Sequence, residues 1–267
     1  MTLFFRSRVR HAVAALVSAV ALLGPASSLA AAPGASDAEL ETATTPFDAR
    51  FKVVKAGLPL GTTRFQLAAG DQPDCFVYRG NANPNALVHM FLGDITEQSN
   101  FCVVDGVVRP MRFRHTEAGK PKKSYTLRFD WSAGKAHYHD KAGRQKSYDI
   151  ESGVQDPLSL QIAARAWVAQ QSRTGVKPGA IGDTRFSLAD DDGVEAFKLT
   201  TAPGGNVSVG AGRFNTLRVA RSGDHAHTLV LWLATNRNWL PIQVETGHDG
   251  STFIMQANQL TLGADGK

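Results

Sequence analysis

Apolar and polar residues alternate over most of this chain. Phe47, Ala49, Phe51 and Val53 are separated by Asp48, Arg50 and Lys52. A period of two sends each set to its own side of the backbone, so this run predicts a strand with one apolar face. Gly57-Leu58-Pro59-Leu60-Gly61 interrupts it, and Thr63, Phe65 and Leu67 then share a face on the return, which predicts a β-hairpin. The same grammar recurs at 107–115 and 124–131, where Tyr125, Leu127, Phe129 and Trp131 lie opposite Arg128 and Asp130. Turns follow at Ser132-Ala133-Gly134-Lys135 and at Lys141-Ala142-Gly143-Arg144. Further strand-like runs occupy 183–189, 195–201, 205–209, 214–222, 227–234, 240–246 and 252–262. Short turns between neighbours predict antiparallel pairing.

One segment keeps a different period. Asp156-Pro157 opens it as N-cap and first helical residue. Leu160, Ala163, Ala164, Trp167 and Val168 then form an apolar stripe, with Gln161, Arg165 and Gln170 off it. Gly175 and Lys177-Pro178-Gly179 stop the run, and a shorter helical turn is expected within 86–92. An apolar stripe must lie on an apolar surface, which the strands supply. The predicted fold class is mainly β, a strongly curved antiparallel sheet or open β-barrel with one amphipathic helix, 156–171, packed on its apolar face.

The chain begins differently. Arg6, Arg8 and Arg10 precede an apolar run at 12–23, Gly24-Pro25 breaks it, and Ser28-Leu29-Ala30 supplies small residues for cleavage. This is the order of a secretory signal peptide, assigned to residues 1–30. The run is shorter than the roughly 20 apolar residues a spanning helix needs. Residues 31–45 lack periodicity and read as a disordered leader, and 46–263 as a single β-rich domain. No cysteine follows the cleavage site for lipidation, and no second apolar stretch reaches membrane length. The expected location is periplasmic, soluble and not lipidated, with no transmembrane span. An outer-membrane barrel fits less well, because a helix interrupts the strands and the chain ends in polar Asp265-Gly266-Lys267.

Charge adds little once the leader is removed. Lys and Arg number 29 against 24 Asp and Glu, and without residues 1–30 the balance is 26 to 24. That excess gives no footprint for nucleic acid. Lys120, Lys122 and Lys123 cluster around Pro121 and read as a solvated hairpin tip, ahead of a contact with an acidic polysaccharide or lipid headgroup. The two cysteines, Cys75 and Cys102, each sit in a strand-like run. In an oxidising compartment they predict a cross-strand disulfide, worth about 3 kcal/mol. A zinc site is the weaker reading, since there is no CxxC spacing.

Several motifs together resemble a bacterial envelope family. They are Phe51-Lys52-Val53 with Gly57-Leu58-Pro59-Leu60-Gly61, Asp105-Gly106-Val107-Val108-Arg109-Pro110, Val154-Gln155-Asp156-Pro157-Leu158-Ser159, Gly212-Arg213-Phe214-Asn215-Thr216-Leu217, and Trp232-Leu233 through Leu240-Pro241. From about Phe47 to Leu262 the pattern is similar to the domain-of-unknown-function family DUF3108. The resemblance implies a secreted, mostly periplasmic protein rich in antiparallel strands. It brings no established catalytic residues, and the cysteine pair lies outside the family's pattern.

Candidate chemistry is sparse. His137-Tyr138-His139 and His225-Ala226-His227 each place two imidazoles on one strand face, a geometry that grips a metal, although solvated histidines beside turns are the simpler reading. His115 and His248 are further candidates, and His89 and Glu97 flank Gly93-Asp94. Asp190-Asp191-Asp192-Gly193 lacks the ligand spacing of a calcium loop and reads as a charged turn. Ser159 suits a helix cap, and there is no Gly-x-Ser-x-Gly in the exported part, no phosphate loop and no dinucleotide fingerprint. Trp131, Trp167, Trp232 and Trp239 are packing anchors, of which some would line a cavity if the barrel is open. No catalytic residue and no cofactor is assigned. The leading expectation is a non-enzymatic envelope protein that binds a small or lipid-like ligand, or another envelope protein. The alternatives are a metal-dependent hydrolase using the His-x-His pairs, and an assembly factor acting through an exposed strand edge.

Overall fold

The computed structural model describes residues 36–89, 93–173, 183–222, 227–248 and 251–263. The expected signal peptide, residues 31–35 of the leader, and His225 lie outside the described residues. Two meanders make up the fold. In the first, β1 (Phe47–Lys55), β2 (Leu58–Ala69), β3 (Cys75–Pro84), β4 (Ile95–Val104), β5 (Val107–Glu117), β6 (Tyr125–Asp130), β7 (Lys135–Asp140) and β8 (Gln145–Asp149) each pair antiparallel with the next. In the second, β10 (Thr184–Ala189), β11 (Val194–Val209), β12 (Gly212–Ser222), β13 (His227–Ala234), β14 (Pro241–His248) and β15 (Ser251–Leu262) do the same. β1 pairs with β15 and fuses the meanders, and the two-residue β9 (Val154–Gln155) adds to β10, giving one sheet of fifteen strands. The β9–β10 pair is parallel, and every other pair is antiparallel, so antiparallel pairing dominates as expected.

Local chemistry sets these hairpins. Asp105 and Gly106 both adopt positive φ, at 51° and 73°, between β4 and β5. A two-residue turn of that hand matches strand twist, and Asp-Gly is its favoured sequence. The runs at 195–201 and 205–209 form one strand, β11, with a register irregularity at Pro203/Gly205. Gly204 is required there, since a Cβ would lie 2.3 Å from Thr216 Oγ1.

The apolar alternate residues of both meanders form the core. Phe47, Phe51, Phe65, Phe113 and Leu127 are buried, and the Phe51 and Phe65 rings meet edge to face at 5.8 Å. The sheet ends also approach one another. Lys146 Nζ and Tyr148 Oη of β8 each donate to the Asp191 carbonyl, in the turn between β10 and β11, at 3.0 Å. Gln155 Nε2 of β9 donates to the Val108 carbonyl of β5 at 2.8 Å.

Three helices are described: α1 (Asp37–Thr44), α2 (Ala86–His89) and α3 (Ser159–Arg173). In α3 burial is not confined to the expected stripe. Ile162, Ala166 and Ala169, outside the stripe, are buried, and Arg165, also placed off it, is only 2% exposed. The Trp167 ring meets Phe186 of β10 edge-on at 6.4 Å. Tyr78 Oη of β3 donates to Gln161 Oε1 at 2.9 Å.

α1 corrects the reading of the leader as disordered for residues 36–45. Its N-terminus is held by the Glu39 carboxylate, which accepts the Ser36 backbone N–H at 2.9 Å. Leu40 and Ala43 are buried in the core. Two arginines of α3 secure it: Arg173 pairs with Glu39 at 3.2 Å, and Arg165 reaches the Thr42 carbonyl at 3.4 Å. Tertiary contacts therefore order a segment whose own sequence carries no helical periodicity. Among the described residues no helix is long and apolar enough to cross a membrane.

Candidate functional site

Strand register assembles a polar row inside the sheet. Gly80, Glu97, His115, Tyr125 and Asp140 are successive cross-strand partners on β3, β4, β5, β6 and β7. Glu97, His115, Tyr125 and Asp140 are all buried. His115 Nδ1 lies 2.9 Å from Glu97 Oε1, the imidazole N–H donating to the carboxylate. The His115 ring stacks on Tyr125 at 5.3 Å, and Tyr125 stacks on Tyr138 at the same separation. Gly80, at the head of the row, makes room for the Phe65 ring of β2, because a Cβ there would come within 2.9 Å of it.

The electrostatics of the row follow from burial. Desolvation holds the Tyr125 phenol well above its ordinary pKa, and the nearby Asp191 and Asp190 carboxylates add to the effect. Tyr138 is pushed up to about 12, first by burial and then by Asp140. Asp140 is kept below its ordinary range despite burial, by hydrogen bonds from the Arg144 backbone and side chain and by the Arg144 charge. The row thus presents a neutral phenol beside an imidazole–carboxylate pair. Tyr125 Oη is buried and has no hydrogen-bond partner among the described residues.

A second row, Tyr78, Ser99, Phe113, Leu127 and Tyr138, runs beside the first. It carries the polar seat of α3. Asp156 is fully buried, and its Oδ1 accepts the backbone N–H groups of Leu158 and Ser159, each at 2.8 Å. The Ser99 hydroxyl donates to Oδ2. Ser159 Oγ accepts the Asp156 backbone N–H at 2.9 Å, which is the capping role its position suggests. Burial raises the Asp156 pKa to about 6, against the lowering pull of these bonds.

The other sequence candidates fall elsewhere. His137 and His139 are exposed on the outer face of β7, opposite Arg128 and Thr126. The second His-x-His segment leads into β13, where His227 pairs with His248, and eight strands separate β7 from β13 in the sheet order. Register does not bring the two pairs together. Among the described residues no group of three or more His, Cys, Asp and Glu gathers as a metal site. His89 sits 3.7 Å from Asp94 on the surface, apart from the buried pairing with His115 that occupies Glu97. Asp190 Oδ1 accepts the Asp192 N–H at 2.9 Å within the turn between β10 and β11, and burial lifts its pKa to about 7. Lys120 and Lys123 both pair with the buried Glu117. Cys75 and Cys102 are direct partners on β3 and β4, with Cα atoms 3.9 Å apart, and are joined by a disulfide. Of the tryptophans, Trp167 is buried, while Trp131, Trp232 and Trp239 are partly buried against the core.

Sequence reasoning named Glu97 and His115 without joining them. The obstacle is a bulge. Val104 pairs with Val107 and Phe101 with Pro110, but beyond Met111 the register moves by one, so Asn100 meets Arg112 and Glu97 meets His115. An unbroken hairpin would set Glu97 against Arg114 instead. A one-residue slip exchanges inner and outer faces. The only signal in the sequence is the adjacent pair Pro110-Met111, after which the apolar alternation changes parity.

The family model described as "Protein of unknown function (DUF3108)" matches residues 47–255. Among solved structures the chain is similar to a crystal structure of a beta-barrel-like protein of domain of unknown function DUF1849 from Brucella abortus. Identity is 12% and the TM-score 0.49, covering 82% of this chain and 98% of that one. It is also similar to the crystal structure of MucB, at 12% identity and a TM-score of 0.35, over 86% of this chain and 58% of that one. No curated protein sequence matches the chain.

Proposed function

The chain belongs to the DUF3108 family, and on that premise we propose that it is an exported envelope protein that binds a small or lipid-like ligand inside its curved sheet. The export signal at residues 1–30 motivates the location. In this reading α3 is the helix laid on the apolar face of the sheet, and the row from Glu97 to Asp140 orients the polar end of the occupant. The carrying observation is Tyr125, whose buried hydroxyl has no hydrogen-bond partner among the described residues. A buried unpaired hydroxyl costs about 1–3 kcal/mol, a cost that a ligand oxygen or nitrogen would remove. Apolar sites with a few convergent polar groups are the usual form of small-molecule pockets.

Native mass spectrometry of the chain from Ala31 tests the reading. A co-purifying mass is expected, and Tyr125→Phe should reduce its retained fraction while stabilising the empty protein by about 1 kcal/mol. If the wild type emerges at its bare mass, and a membrane lipid extract shifts neither its mass nor its melting temperature, the interior site is wrong.

A further inference from the structure

The charge of this protein is small in sum and uneven in place. Residues 107–149, which hold β5 to β8, contain 11 Lys and Arg against 4 Asp and Glu, a net +7. The remaining residues from 31 onward contain 15 against 20, a net −5. Three of the four acids of the basic segment do little to neutralise its outer face, and the fourth, Asp130, lies on that face two residues from Arg128 with its Oδ1 held by the Ser132 hydroxyl and the Ala133 N–H. Glu117 and Asp140 are buried, and are engaged by Lys120 and Lys123 and by Arg144 at one end of the strands. Asp149 pairs with Lys135.

Register then concentrates the arginines. Arg112, Arg128, His137 and Ser147 are successive partners on the outer face of β5, β6, β7 and β8. Arg114, Thr126, His139 and Gln145 form the adjoining row. Among the described residues none of Arg112, Arg114 and Arg128 forms an ion pair, and Arg112 Nε is buried with no hydrogen-bond partner. Burial, and after it the neighbouring Arg114 and Arg128 charges, depress the Arg112 pKa. At the bulge beside them Met111 is a large apolar side chain 44% exposed.

We propose that the outer face of β5–β7 docks on the anionic phospholipid headgroups of a bilayer. Strands lie about 4.8 Å apart, so the two rows make a broad array on an open face rather than a cradle around one small anion. Thr126 and the two histidines are its other members, and no Phe, Tyr or Trp stands among them as a platform for nucleic-acid bases. A basic array with an apolar side chain at its border suits the headgroup region of a membrane. The opposed charge of the remaining protein turns this face toward such a surface. The proposal does not depend on the interior site.

Co-sedimentation of the chain from Ala31, which keeps every described residue, with lipid vesicles tests it. Binding is expected to phosphatidylcholine vesicles that contain phosphatidylglycerol, to weaken with salt, and to be absent with phosphatidylcholine alone. Arg112→Gln/Arg114→Gln/Arg128→Gln should lower partitioning about a hundredfold, from roughly fivefold per charge near an anionic surface. The triple Lys variant should retain binding. A control, Arg185→Gln/Arg213→Gln/Arg237→Gln, removes the same charge from exposed sites elsewhere and should bind as the wild type does. Equal losses in the two Gln triples, no binding to anionic vesicles, or binding of inorganic phosphate without any binding of vesicles would each overturn the proposal. Matching far-ultraviolet spectra and melting temperatures confirm that the variants are folded.

Discussion

The Ser99 hydroxyl donates to the carboxylate of Asp156, so one fully buried acid both caps α3 and ties it to β4. Its pKa is raised from 3.8 to about 6, chiefly by burial. Between those values the unfolded chain has lost the proton that the folded protein still holds. Stability from this group is therefore complete below about pH 4 and falls as pH rises to about 6, by about 3 kcal/mol. Asp156→Asn keeps an acceptor for the Leu158 and Ser159 N–H groups and cannot ionise. Urea midpoints of the two proteins at pH 4 and pH 7 should diverge, the Asn variant gaining relative to wild type at the higher pH. Parallel curves would mean that Asp156 does not resist ionisation.

The Cys75–Cys102 bridge closes a loop with a sequence separation of 27. Loop-closure entropy assigns it about 3 kcal/mol. A Cys75→Ala/Cys102→Ala variant should unfold at lower denaturant by that amount, and reductant should destabilise the wild type but leave the variant unchanged. Because the two residues are direct partners between β3 and β4, hydrogen exchange should rise first in those strands.

Arg165 is a buried cation that donates to backbone oxygens. It donates to the Asn238 carbonyl from Nε at 3.1 Å and Nη2 at 2.9 Å, and to the Thr42 carbonyl. Burial lowers its pKa to about 10. Arg165→Met removes the cost of burying the charge but strips donors from the turn between β13 and β14 and from α1. A net loss of roughly 2 kcal/mol is expected, with faster amide exchange in α1 than in the sheet. Equal protection of α1 in both proteins would show that its apolar contacts suffice.

Much of the architecture was legible because strand period, turn residues and caps are local. Phe47 to Val53 alternates as its burial does, and Asp156-Pro157-Leu158-Ser159 caps a helix as its residue types imply. What stayed hidden depends on distance along the chain. Leu40 and Ala43 become core only once α3 is beside them, so α1 left no periodic trace. Arg165 falls off the apolar stripe in the sequence, and its partners, the carbonyls of Asn238 and Thr42, come from segments remote along the chain. The row through Glu97 and His115 needed the bulge at Met111, which propensity does not reveal. The outer arginines vanished into a nearly balanced total, because a sum over the chain erases where the charges lie.

The pairing of β1 with β15 has a consequence for how this molecule is made. Phe47 meets Leu262, so the first strand of the sheet finds this second neighbour only when the last strand, β15, has been made. Each meander can zip locally, but the seam between them waits for β15. Until then one edge of β1 stays unsatisfied. The same adjacency places both ends of the domain side by side, so joining them and reopening the chain within the exposed Lys141–Arg144 turn should yield a permutant with the same sheet.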